Sequence, residues 1–590
     1  MEEVSVLNTS AHDVVTFDIL LDNQAVNPEY QVLSLSVSRE INRIPSAKIV
    51  FRDGEASERT FAISNKDDFK PGKKIRINAG RDGTKEQVFQ GIITKHAVRV
   101  KASGDSELII ECHDEAIRMT IGRHSHYYAD VKDSEVFDEL IGKYKGISGD
   151  TVATKQKHKE LVQHHISDWD FMLLRSEANS MLVNVDDGTV IISRPDTSQQ
   201  AVTRITYGDS VLEFEAEMDV RMQWKKIQAI SWDFSNQRLF DADASSVSFS
   251  EHGNITGSDL ADILSPDNYK LHHSGNLPEQ ELQDWVDGRM LRSRLAKIRG
   301  RAKFFGFAGI KPGNMVQLDG VGERFTGKAF VTAVRHDIGN GSWDTHIQFG
   351  LDPQPYSFLH DDLNDTEAAG LVGGIKGLQI GKVVQLENDP DGEHRILVRI
   401  PVIDDKARGT WMRMASLDAG SGRGAFFRPE IDDEVIVGFI NNDPRNAVIL
   451  GMLHSSAKGA PIDAHDVNHE KGFTTRSKMH ISFNDDTRKI VIDTPAGNSI
   501  TLDESGKKIE IIDQNQNKIT MDTSGIKMDS PKNIEINAKG NMTLKATGAM
   551  NIGAATIAAK ADGNISVEGA MAKLAGQGVT EITGGLVKIN

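Results

Sequence analysis

Residues 500–536 read ITLDESGKKIEIIDQNQNKITMDTSGIKMDSPKNIEI. Apolar residues stand there as i, i+2 doublets: Ile500/Leu502, Ile509/Ile511, Ile519/Met521, Ile526/Met528 and Ile534/Ile536. The pattern starts upstream at Ile490/Ile492 and runs on through Met542/Leu544 and Met550/Ile552, the doublets lying 10, 9, 10, 7, 8, 8 and 8 residues apart. Alternation with period two means short strands with one apolar face. The segments between them, such as Asp503-Glu504-Ser505-Gly506, Asp522-Thr523-Ser524-Gly525 and Lys539-Gly540-Asn541, are built of turn formers. A strand and a tight turn repeated at a near-constant period predict a β-solenoid.

A repeat of about eight residues holds one strand and one turn, too little for a coil that encloses its own core. One chain then supplies one wall, and three walls close a triangular prism. The expected trimer core comprises Ile509, Ile511, Ile534, Ile536, Met542, Leu544, Met550 and Ile552. Each would contribute roughly 1.5–3 kcal/mol once neighbouring chains cover it, and little in a monomer. Phe483 is the last aromatic residue, as a thin prism requires.

The whole chain, at 590 residues, exceeds what one core supports. Aromatics at 6% and 52 glycines favour β-structure rich in turns. A net charge of −17 argues against a nucleic-acid partner, which needs clustered Lys and Arg. Cys112, the single cysteine, cannot form an intrachain disulfide and lies in the apolar run Leu108-Ile109-Ile110-Glu111-Cys112, so a buried structural thiol is expected. Met1-Glu2-Glu3-Val4 has neither a basic nor an apolar leader region, which predicts synthesis in the cytoplasm without a signal peptide.

Residues 375–455 read as about five strands separated by Gly- and Asp-rich turns, which fits an OB-type barrel. Six segments there occur in a recognisable order: Gly381-Lys382-Val383, Val398-Arg399-Ile400-Pro401, Trp411-Met412-Arg413, Gly424-Ala425-Phe426-Phe427-Arg428-Pro429, Asp433-Glu434-Val435-Ile436-Val437-Gly438-Phe439, and Asp443-Pro444-Arg445-Asn446-Ala447-Val448-Ile449-Leu450-Gly451. They resemble the OB domain of VgrG-type spikes of contractile injection systems: type VI secretion, extracellular injection particles and contractile phage baseplates. Acidic loops (Glu387, Asp389, Asp391, Glu393; Asp404, Asp405; Asp432, Asp433) make oligonucleotide binding by this barrel a poor reading.

The amino-terminal part is mostly strand-like, with helical patterns at 134–144 and about 278–297. Lys70-Pro71-Gly72, Ile75/Ile77 and Phe89-Gln90-Gly91-Ile92-Ile93-Thr94 are echoed by Lys311-Pro312-Gly313, Val316/Leu318, Phe325-Thr326-Gly327 and Phe330-Val331-Thr332. This predicts a duplicated β-barrel, against the alternative of two unrelated hairpins with common turn chemistry. Three copies would present six similar barrels, able to meet a sixfold tube on one side and a threefold needle on the other. In the resembling family the amino-terminal hub does this, and Ser167-Asp168-Trp169-Asp170-Phe171-Met172-Leu173-Leu174-Arg175 resembles the stretch between its barrels.

Arg123-His124-Ser125-His126 and His164-His165 are the candidate metal groupings, without a third ligand motif, and no metal or cofactor is expected. No G-x-S-x-G, P-loop or H-E-x-x-H is present. Some spikes of this class carry a muramidase between barrel and needle or an effector after the needle. Here the short gap from His454 to His480 and an end at Leu586-Val587-Lys588-Ile589-Asn590 predict neither, and no enzymatic activity.

The expected architecture is mainly β: a two-barrel hub with helical insertions (1–365), a linker (366–374), an OB fold (375–458), a linker (459–479) and an intertwined trimeric triangular β-helix (480–590). The resemblance implies a homotrimeric spike that caps the inner tube, binds baseplate proteins, and pierces a target envelope when the sheath contracts. It would be assembled into the particle and then stand outside the cell or enter the target, meeting a membrane only as the layer pierced. A PAAR-type tip protein would dock on Leu586, Val587, Ile589 and Asn590, and an effector is a candidate cargo. A baseplate cell-wall hydrolase and a passive receptor-binding fibre are the alternatives.

Overall fold

The computed structural model describes residues 14–589 except 246, 248–250 and 364. Its contacts divide the chain into two compact units, Met1–Gly451 and Met452–Asn590.

In the first unit, twelve strands fall into two sets. The first set is β1 (Val15–Leu21), β2 (Val32–Glu40), β3 (Ser46–Arg52), β4 (Lys74–Arg81), β5 (Thr84–Val100) and β6 (Ser106–His113). The second is β7 (Ala201–Thr206), β8 (Val211–Met218), β9 (Ile298–Phe305), β10 (Met315–Asp319), β11 (Gly327–Gly339) and β12 (Ser342–Phe349). Their neighbours run β2-β3-β6-β5-β4-β1 and β8-β9-β12-β11-β10-β7, the same topology twice in the same chain order. Each set wraps its own core. Ile19, Leu35, Ile49, Ile77, Phe89 and Ile110 lie in the first; Ile205, Ala302, Phe304, Leu318, Val334 and Ile347 in the second.

The echo between the halves extends to backbone detail. Gly72 N–H donates to the Ile93 carbonyl at 2.7 Å and Ile93 N–H to Lys73 at 2.9 Å; Gly313 donates to Val331 at 2.8 Å and Val331 to Asn314 at 2.9 Å. Both glycines take positive φ, +95° and +91°, in the turn that makes this approach. β5 is bulged between Ile93 and Lys95, and β11 between Val331 and Ala333. A second matched pair of bulges lies between Val32 and Ser34 on β2 and between Val211 and Glu213 on β8. In this register Ile92-Ile93-Thr94 matches Phe330-Val331-Thr332, as the sequence indicates, whereas Gly91 matches Ala329. The two F-x-G motifs are therefore two residues out of step, a chance likeness within a true duplication. The halves differ in that β1 is antiparallel to β4 while β7 is parallel to β10. Neither set is closed into a cylinder by ladders among the described residues; the sets join through β2 and β11, Glu40–Leu35 pairing Ala333–Ile338.

Between the sets lie helices α1 (Asp133–Gly142) and α2 (Asp168–Ala178); α3 (Gly257–Leu264) and α4 (Glu279–Leu295) sit between β8 and β9. The helix α1 begins at Asp133, one residue before the pattern at 134–144: the Glu135 carboxylate accepts from Lys132 N–H at 2.8 Å, while Ser134 Oγ accepts from Thr154 N–H at 3.2 Å. The aromatic run 167–175 forms α2, capped by Ser167, whose hydroxyl accepts from Asp170 N–H at 3.0 Å.

A closed barrel follows: β13 (Gln379–Gln385), β14 (Ile396–Arg399), β15 (Thr410–Met414), β17 (Ala447–Met452) and β16 (Glu434–Phe439) in ladder order, around Val383, Ile396, Val398, Met412, Val435, Val437 and Ile449. Gly381 lets β13 into this core, since a Cβ there would come within 2.5 Å of Val398.

The second unit is a seven-stranded antiparallel meander: β18 (Glu470–Thr474), β19 (His480–Asn484), β20 (Lys489–Asp493), β21 (Ser499–Asp503), β22 (Lys508–Ile512), β23 (Lys518–Asp522) and β24 (Gly525–Asp529). It starts inside 459–479, the stretch expected to be a linker. Beyond Asp529 the doublets persist, but no ladder within the chain joins residues 530–589.

Candidate functional site

Four of the six turns of the meander open on an Asp or Asn that ties its own backbone. Asn484 Oδ1 accepts from Thr487 N–H at 2.9 Å, Asp503 from Gly506 at 2.6 Å, Asp513 from Asn517 at 2.8 Å and Asp522 from Ser524 at 2.7 Å. Turns tied in this way between strands of five residues hold the register from one strand to the next.

As a result the doublets meet across every ladder. One column runs Phe483, Ile490, Leu502, Ile509, Met521, Ile526; the other runs Ile481, Ile492, Ile500, Ile511, Ile519, Met528. On the opposite face Ser482, Val491, Thr501, Glu510, Thr520 and Lys527 stand in line. Glu510 there accepts from Lys518 at 2.8 Å and Lys508 at 3.3 Å, and its pKa is lowered by them. One face is thus largely polar, with Glu510 paired within it, and the other is two continuous columns of apolar side chains, most of which stay substantially exposed in the single chain.

Of the residues expected in a trimer core, Ile509 and Ile511 lie in these columns. Ile534, Ile536, Met542, Leu544, Met550 and Ile552 are exposed in 530–589, and a single chain does not bring them onto the same sheet. Leu586, Val587 and Ile589 are exposed; Asn590 lies outside the described residues. The strip also takes in Ile481 and Phe483, whose alternation was legible before the longer repeat.

The histidine pairs fall on a two-stranded ladder, His124–Lys132 against Lys157–Ile166, where Gln163 faces His126 and Ile166 faces His124. Among the described residues no group of three or more His, Cys, Asp or Glu is assembled to hold a metal. Cys112 is buried in the first core, and burial pushes its thiol pKa up, away from a reactive thiolate. A polar interior cluster joins Asp133, His158, Arg175, Asn179 and Glu281. Asp133 accepts from His158 at 2.9 Å and Asn179 at 2.8 Å, and Arg175 reaches Glu281 at 2.8 Å. Its hydrogen-bonding capacity is taken up internally, so it acts as a clamp between α1, α2 and α4.

Among the described residues, no helix is long and apolar enough to cross a membrane. Two family models match the chain: the Alg8 N-terminal domain over residues 11–340, and the type VI secretion system/phage-baseplate injector OB domain over residues 379–454. No curated protein matches. Among solved structures, the 43 kDa tail protein of prophage MuSo2 from Shewanella oneidensis is 10% identical with a TM-score of 0.43, over 57% of this chain and 98% of its own. The E. coli c3393 protein, described as a component of the type VI secretion system, is 11% identical with a TM-score of 0.36, over 74% and 99%. A chain of the Francisella PdpA–VgrG complex is 11% identical with a TM-score of 0.37, over 88% and 80%.

Proposed function

The chain belongs to the family of the Alg8 N-terminal domain and carries an injector OB domain, and from that premise we propose that it is the trimeric spike of a contractile injection machine. The observation that carries the reading is the pair of in-register apolar columns on the Glu470–Asp529 sheet. A strip of this length left in water costs solubility and gains nothing. Three such strips facing one axis would bury one another, while the polar faces stay outside. The eight-residue doublets after Asp529 then find their hydrogen-bond partners in the other two chains.

On this reading the duplicated hub sits beneath the inner tube and contacts baseplate proteins, the OB barrel links hub to needle, and Leu586, Val587 and Ile589 of three chains form a platform for a PAAR-type tip protein. Effector cargo rides with the spike. Sheath contraction supplies the work, so the spike pierces the envelope without bond cleavage. It is made in the cytoplasm, assembled into the particle, and then stands outside the cell or enters the target.

Static light scattering of the full chain tests the reading. A mass of three chains is expected; a mass near the single-chain 64.8 kDa overturns it.

A further inference from the structure

The duplicated hub contains one strand joint and lacks its repeat. Within the chain, β11 offers the edge beyond its bulge to β2: Val334 faces Arg39, His336 faces Val37 and Ile338 faces Leu35. The matched bulges give the equivalent residues of the other half. On β5, His96, Val98 and Val100 stand where Val334, His336 and Ile338 stand on β11; on β8, Phe214, Ala216 and Met218 stand where Leu35, Val37 and Arg39 stand on β2.

Both equivalent edges are open. β8 pairs only with β9, and β5 pairs with β4 only as far as Ile92, so neither edge has a strand partner among the described residues. Burial records the vacancy. His336 and Ile338 are 2% and 3% exposed beside β2, whereas their counterparts Val98 and Val100 are 50% and 67% exposed. Leu35 and Val37 are sealed, while Phe214 and Ala216 are only half-buried.

We propose that the β5 edge of one copy pairs antiparallel with the β8 edge of the next, in the register that β11 and β2 use within a chain. Val98 then lies opposite Ala216, Val100 opposite Phe214, Arg99 opposite Glu215, and Lys101 opposite Glu213. The matched bulges alone set this register, and its charges are complementary. Glu107 already faces Arg99 on β6, and Arg301 already faces Glu215 on β9, so the joint completes an alternating row Glu107, Arg99, Glu215, Arg301. Like-charged residues directly opposite would oppose pairing; here each meets its complement. Because the two edges differ, the contact is head-to-tail, and head-to-tail contacts close into a ring when the rotation allows. Applying the internal joint between copies makes every hub unit equivalent to its neighbours, and it removes the two open edges, which are liabilities in an isolated chain.

This inference rests on the oligomeric reading above but adds which surfaces meet, and the test separates the two. Val98→Cys and Ala216→Cys are introduced together and singly in the full chain, whose one native cysteine is buried, and treated with oxidant or a short bis-maleimide. The double variant is expected to give covalent dimers and trimers on a non-reducing gel, and either single variant none. A three-chain mass with no cross-link, or single variants cross-linking as well as the double, overturns the edge pairing and leaves the trimer standing. A one-chain mass overturns both. As a second measure on exposed side chains, Arg99→Glu alone should weaken assembly about fivefold per joint, and adding Glu215→Arg should recover part of that loss, the rest reflecting the like charges the two changes set opposite Glu107 and Arg301 within each chain; no recovery at all overturns the register.

Discussion

Arg175 grips Asp133 through two parallel hydrogen bonds, Nε to Oδ1 at 2.7 Å and Nη2 to Oδ2 at 2.9 Å, at a carboxylate almost sealed from solvent. Arg175→Met takes away the guanidinium from that buried carboxylate, leaving only His158 and Asn179 as donors, and should cost about 3–5 kcal/mol of hub stability. Arg175→Lys should recover only part of it, since an ammonium cannot replace the fork. Burial alone would raise the Asp133 pKa, but hydrogen bonds from His158 and Arg175 hold it well below its ordinary 3.8. Its contribution is therefore full above that pH and fades as pH falls below it, a loss that Asp133→Asn should not show in acid denaturation.

His336 gives the opposite constraint nearer neutrality. Burial, with Arg39 and His346 nearby, pushes its pKa from 6.5 down to about 3. The unfolded imidazole takes a proton near 6.5 that the folded one refuses, so stability falls as pH drops through that window, at about 1.4 kcal/mol per pH unit. His252, pushed down to about 4 by burial and Lys297, adds a second such slope. Denaturant unfolding at pH 7 and pH 5 should show His336→Leu losing less on acidification than the parent.

Ile511 stands mid-column, facing Ile500 and Ile519. Ile511→Asp places a carboxylate from each chain in the shared core and should reduce the light-scattering mass to one chain. Thr520→Lys, on the polar face opposite Glu510, should leave the mass at three.

At the carboxy-terminal end, Leu586→Asp with Val587→Asp should abolish capture of a PAAR-type tip protein in a pull-down while the mass remains that of the parent. A tip bound as well as by the parent would remove these residues from the docking platform.

The doublets could be read from sequence because a period of two and turn-forming residues are local signals. Which doublet lies opposite which depends on turn length and Asx ties, so the columns became visible only in three dimensions. The duplication was legible at Lys-Pro-Gly, where a tight turn demands particular residues. It was hidden along the strands, where Ile49 and Ala302 occupy matching core positions with different volumes. The helix α2 carries no apolar period in its sequence because Trp169, Phe171, Met172 and Leu173 crowd one turn; its signal is the Ser167-x-x-Asp170 cap. The linker boundary failed since Phe473 pairs with Ile481 over a loop too short to leave a spacer.

The division at Gly451 and Met452 has an optical consequence. All six tryptophans and all seven tyrosines precede it. The carboxy-terminal unit is therefore dark to intrinsic fluorescence and nearly transparent at 280 nm. A melting curve recorded through tryptophan emission follows hub and barrel alone, and an unchanged curve says nothing about the shaft. Variants of the columns need far-ultraviolet dichroism or hydrodynamic mass as their witness.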